Sequence, residues 1–170
     1  MRGHPDVATT LTQLVSAPDV ELPDHAGTLR RLSDRAGVGP TVVVFFRGHW
    51  CPYCRRYLTK LQANFARFAE CNAAVVGISP EPAVTSRRLV AELGLSFTVL
   101  ADVECTAIER YGVRNAFLSG STILPHPAVF IVDDAGQIRF RSIDRNYKKR
   151  TTMRTIFAAL AEVAGVPAAV

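Results

Sequence analysis

Apolar and polar positions along this chain follow two different periods, and the switches between them mark its elements. The run Thr41–Phe46 is apolar, β-branched and aromatic throughout, the mark of a strand buried on both faces. Residues 52–69 change to helical spacing, with Tyr57, Leu58, Leu61, Phe65 and Phe68 on one side and Pro52 at the start, where a helix tolerates proline. The spacing predicts further strands over 73–79, 96–100, 128–134 and 137–143. It predicts helices over 82–93, 103–111 and 151–164, and Gly112 closes the short middle one. Asp134-Ala135-Gly136 reads as the turn of a hairpin between the last two strands. Val20–Leu22 and Thr28–Leu32 flank Asp24-His25-Ala26-Gly27 as a small leading hairpin. Strands alternating with helices imply an α/β fold, a central mixed sheet covered on both faces with at least one antiparallel edge.

The chain has 170 residues, 48% hydrophobic and 21% charged, which suits one domain with its own core. No linker rich in Gly, Pro or Ser divides it. Residues 1–15 read as an N-terminal extension, with Val7–Val15 as a loose helix on the body, and 16–170 as the single domain. No apolar run reaches the ~18 residues of a spanning helix, and MRGHPDVATT lacks the apolar core of a signal peptide. The expectation is a cytoplasmic protein without a membrane partner. The net charge of +5 is concentrated in 139–154, which holds seven Arg or Lys and one Asp. That block reads as a solvated basic surface. Neither aromatic platforms nor a groove-reading motif accompanies it, so no nucleic-acid partner is expected.

Chemistry enters with the cysteines at 51, 54, 71 and 105. Their spread does not suit a disulfide scaffold. Cys51 follows the buried strand and opens a helix, where free N–H groups and the helix dipole favour a thiolate. No acid lies between Asp34 and Glu70, whereas Arg47 and Arg55 flank the pair. Cys51 is therefore the expected nucleophile. Cys54 sits one turn on, on the same helix face, placed to attack an oxidised or mixed-disulfide Cys51. His49 and the C-x-x-C supply part of a zinc set, but no second ligand pair follows, so neither metal nor cofactor is expected. Cys71 and Cys105 read as buried packing residues.

The stretch Ser16–Asp24, then Gly27–Asp34, then Val42–Phe46 running into Cys51 resembles the alkyl hydroperoxide reductase/thiol-specific antioxidant (peroxiredoxin) family. Val75–Ser79, Leu100-Ala101-Asp102, Tyr111-Gly112-Val113 and Val129–Asp133 fit the same pattern, so the resemblance spans about 16–164. It implies a thioredoxin-like fold with Cys51 as the peroxide-attacking cysteine. The tetrad Cys51-Pro52-Tyr53-Cys54 is similar to that of glutaredoxins. Two positions depart from the family pattern Pro-x-x-x-Thr/Ser-x-x-Cys, because Val44 and Gly48 occupy them. Pro127 stands where the family carries an arginine and resembles the cis-proline of thioredoxins. Arg47, Arg55 or His49 would then orient the peroxide, and Trp50 would cover the sulfur or meet a partner.

These features point to a thiol-dependent oxidoreductase. Its substrate is a hydroperoxide or a disulfide, and a thioredoxin- or glutathione-type donor reduces it. A disulfide oxidoreductase without peroxidase activity and a non-enzymatic redox-sensing module stay open. So does a homodimer.

Overall fold

The computed structural model describes residues 9–35, 37–116 and 122–165. Its main sheet has six strands in the order β1-β8-β7-β4-β5-β6. They are β1 (Thr9–Ser16), β4 (Thr41–Phe45), β5 (Ala74–Ser79), β6 (Thr98–Ala101), β7 (Ala128–Val132) and β8 (Gln137–Ile143). A separate two-stranded ribbon, β2 (Glu21–Pro23) with β3 (Leu29–Arg31), packs against it, with Asp24 bridging to Leu100 of β6. The strands β4, β5 and β6 run parallel, and β4–β7, β7–β8 and β8–β1 are antiparallel. The helices are α1 (Pro52–Ala63), α2 (Phe65–Glu70), α3 (Ala83–Leu93), α4 (Thr106–Arg110) and α5 (Met153–Val163).

Side-chain alternation along β4 divides the core. Val42, Val44 and Phe46 join Leu58 and Leu61 of α1, Phe68 of α2, Leu89 of α3 and Leu160 of α5. Val43 and Phe45 point the other way, to Ile108, Tyr111, Phe130 and the ribbon's Leu22. All of β4 is buried, as its unbroken apolar run requires. Among the described residues no helix is long and apolar enough to cross a membrane.

Three expectations need correction. The loose helix over Val7–Val15 is absent, because Thr9–Ser16 is the edge strand β1, paired with β8 across an irregular register. An isolated segment shows no preference strong enough to announce strand, and the open edge of β8 decides it. Val7 lies outside the described residues. The single helix over 52–69 is two. At Asn64 the side chain donates to the Lys60 carbonyl at 2.9 Å and accepts from Arg67 at 3.1 Å, so local side-chain bonding breaks the run. Cys71 is exposed at the end of α2 rather than buried.

The ribbon is tied down by Asp24, 4% exposed, which accepts from the Ala26 and Thr28 amides at 2.9 Å and from Arg30 at 3.0 Å. Burial pushes its carboxyl up. The Thr28 amide, Arg30 and the Ala26 amide outweigh that and hold it below the usual range.

Candidate active site

The central strand delivers the chain to the site. Past β4 the Phe46 amide still bonds the Ile78 carbonyl at 3.0 Å, after which the backbone turns through Arg47–Trp50 into α1. Gly48 makes that turn at φ +156°, and a Cβ there would lie 2.5 Å from Trp50 Nε1 and 2.8 Å from Glu81 Oε1. Both the conformation and the close approach demand glycine. A hydroxyl residue here, as in the family pattern, would strain the backbone and have to displace Trp50 and Glu81.

Cys51 is the extended N-cap of α1, with no side-chain capping bond, and Pro52 starts the helix without an orphaned N–H. Cys51 is 1% exposed and Cys54 0%, and both are free thiols. Burial pushes the Cys51 thiol up. The Cys54 amide and thiol, the Arg47 charge and the Tyr53 amide overcome it, and the net direction is down. Cys54 moves the opposite way. Burial raises it, the neighbouring Cys51 adds to the rise, and Arg150 and the Arg47 amide only partly oppose it. The pair is thus split, with Cys51 shifted toward thiolate and Cys54 toward thiol.

Two arginines face this pair from different parts of the chain. Arg47 brings Nη1 to 3.9 Å from Cys51 Sγ, and its amide donates to Cys54 Sγ at 3.4 Å. Its guanidinium lies between the rings of Trp50, 4.9 Å away, and Tyr147, 4.7 Å away. Arg150 donates from Nη2 to Cys54 Sγ at 3.1 Å, and its Nη1 holds the Tyr147 and Lys149 carbonyls at 2.6 Å each. The Tyr57 hydroxyl, on the α1 turn after Cys54, donates to the Thr151 carbonyl at 2.7 Å and pins the Arg150 segment over the sulfurs.

The other expected residues fall elsewhere. Arg55 pairs with Glu92 at 2.9 Å and donates to the His49 carbonyl, so its charge is engaged away from the sulfurs. His49 is held by Glu81, ring nitrogen to carboxylate at 2.6 Å and amide to carboxylate at 2.8 Å. Trp50 is half exposed and stacks on Arg47. Pro127 precedes β7 in the trans form, since no peptide bond among the described residues is cis. Its carbonyl accepts from the Asp144 amide at 2.8 Å, and the His126 amide donates to Val113 at 2.7 Å. Both bonds hold an extended lead into the strand, which trans satisfies. Cys105 caps α4 at φ +57°, and burial together with Asp102, Glu109 and Glu104 keeps it a thiol against the pull of Arg114. Across an open cleft from it stand Arg47 and Trp50, and Val103, Ile123 and Leu124 supply apolar walls.

Sequence reasoning missed Arg150, Tyr147 and Glu81. The first two belong to the basic block read as solvated surface. Its excess charge was visible, but nothing local showed which arginine turns inward.

A mixed sheet with a C-x-x-C pair at the first turn of the helix after its central strand defines a thioredoxin-like thiol oxidoreductase. The AhpC/TSA family matches residues 15–141, and the chain belongs to that family. A putative peroxiredoxin of Mycobacterium tuberculosis, Rv1608c, is 30% identical over 115 residues, 68% of this chain and 74% of that protein. The thiol-disulfide oxidoreductase ResA of Geobacillus thermodenitrificans is 26% identical over 73% of this chain and 65% of its own. Among solved structures, the peroxidoxin BcpB of Mycobacterium tuberculosis superposes with a TM-score of 0.75 at 25% identity, covering 91% of this chain and 97% of that one. The protein is a peroxiredoxin-like oxidoreductase.

Proposed function

We propose that Cys51 reduces hydroperoxides and that Cys54 resolves it. The observation that carries this reading is the opposite displacement of the two thiols, Cys51 toward thiolate and Cys54 toward thiol. The Cys51 thiolate attacks the distal oxygen of the hydroperoxide. The O–O bond breaks, the alkoxide leaves and takes a proton, and Cys51 becomes a sulfenic acid. Arg47, 3.9 Å from the sulfur, is the charge placed to meet the developing alkoxide. Cys54 then gives up its proton, its thiolate attacks Cys51 Sγ, and hydroxide leaves to form water with that proton. Arg150 favours the thiolate on which this step depends. A thiol donor restores the dithiol, and that need fits a reducing compartment such as the cytoplasm.

Disulfide exchange is the second reading, favoured by Gly48, which leaves the turn without a hydroxyl beside Cys51. Stopped-flow oxidation of the reduced protein separates the two. The peroxidase reading expects Cys51 to react at least about 100-fold faster than a free thiolate of matching pKa, the scale of one well-placed donor. A rate equal to that of the free thiolate would leave disulfide exchange as the function.

A further inference from the structure

Beside α1, the helix and the segment after β8 enclose a cleft of about 190 Å³ lined by Tyr53, Arg56, Tyr57, Lys60, Lys148 and Arg150. Four of the six are cations and none is an acid. Arg56 and Lys60 are four apart on one helix face, a spacing at which like charges repel. Other arginines of the molecule have carboxylate partners, among them Arg30, Arg31, Arg55, Arg114 and Arg139. None of those ion pairs engages Arg56, Lys60, Lys148 or Arg150, and the carboxylate whose charge reaches the cleft's Tyr57 alongside Arg150 is Asp144, outside the lining. Arg150 Nε is in addition buried without a hydrogen-bond partner. Positive charge is concentrated along this lining with no acid in it, which is what an anion site presents before its ligand arrives.

The position of the cleft gives that anion a purpose. Arg150 lines the cleft and donates to Cys54 Sγ at 3.1 Å, so a ligand seated there is one side chain away from the redox pair. We propose that this cleft docks a low-molecular-weight thiol that carries carboxylates, and that this thiol is the electron donor of the cycle. The inference rests on the dithiol cycle above. Carboxylates seat on Lys60, Arg56 and Lys148, and the donor's thiolate attacks one sulfur of the Cys51–Cys54 disulfide and expels the other as thiolate. A second donor thiol then releases the first as a donor disulfide. Two donor thiols are oxidised, and the protein pair takes up two electrons and two protons.

The test measures reduction of the disulfide form of the full chain. The disulfide is made in parallel with hydrogen peroxide and with diamide, and loss of two hydrogens by mass confirms it. Glutathione, its diethyl ester and dithiothreitol are compared as reductants. Expected is glutathione at least about tenfold faster than the ester, with the gap closing at high salt as screening removes the attraction. Lys60→Glu and Arg56→Glu should each slow glutathione several-fold and leave dithiothreitol, which has no charge to dock, unaffected. Equal rates for glutathione and its ester, or a parallel loss with dithiothreitol, overturn the proposal. If only diamide forms the disulfide and glutathione keeps its advantage, the peroxidase reading fails and the docking site stands. If neither oxidant forms it, both fall.

Discussion

Removing the guanidinium from Arg150 while keeping a similar shape, as in Arg150→Gln, takes away the charge nearest Cys54. At the observed 3.1 Å, a full charge pair in an effective dielectric of 20 is worth about 5 kcal/mol, which is an upper limit. Arg150 is only half buried, and hydrogen bonds to ionised groups contribute a net ~1.5–3 kcal/mol. Because Cys54 rests as a thiol and reacts as a thiolate, that stabilisation falls on the resolving step. The step should therefore slow about 10- to 100-fold at neutral pH. Burial already holds the Cys54 thiol up, and losing Arg150 raises it further, so the rise of the resolving rate with pH moves to higher pH. The assay is single-turnover oxidation by one equivalent of hydrogen peroxide, with dimedone trapping of the Cys51 sulfenic acid over a pH series. The variant should accumulate trapped Cys51, and the lost rate should return in alkaline buffer. Arg150 also anchors its loop through the Tyr147 and Lys149 carbonyls, so Tyr57→Phe serves as a control that frees Thr151 without removing charge. That control should leave the pH dependence in place. An Arg150→Gln protein that resolves at the wild-type rate with an unmoved pH profile would refute the electrostatic role.

Two further outcomes test the scaffold. Gly48→Ala should destabilise the fold by ~1–3 kcal/mol in urea titration, because its Cβ meets Trp50 Nε1 and Glu81 and the backbone φ is unfavourable; unchanged stability would mean the turn has room for a side chain. Asp24→Asn should cost ~1–3 kcal/mol at neutral pH and flatten the acid limb of the stability curve. The folded Asp24 carboxyl lies below its unfolded value, so its contribution is present above about pH 4 and is lost as pH falls through the folded pKa. Equal acid sensitivity in the variant would rule that contribution out.

The apolar run 41–46, the helical spacing after Pro52 and the Asp134-Ala135-Gly136 turn were legible because each is a local signal: a period, a breaker, a turn residue. The position of Cys51 and Cys54 at the first turn of α1 followed from the same signals, as did the downward shift of the Cys51 thiol. The strand Thr9–Ser16 was not legible, since its partner β8 lies more than 120 residues away and only the sheet edge makes strand the favoured state. The break at Asn64 turned on which bonds its side chain found. Three arginines looked alike near the cysteines or far from them, and folding sorted them. Arg55, adjacent to Cys54, is taken by Glu92; Arg47 is held by Trp50 and Tyr147; Arg150, which is 96 residues from Cys54, reaches its sulfur. Local sequence settles what a residue can ionise or donate, because that is chemistry carried by the side chain. Which charge meets which sulfur depends on distance and burial, and both are set only when strands and helices from the whole chain pack together.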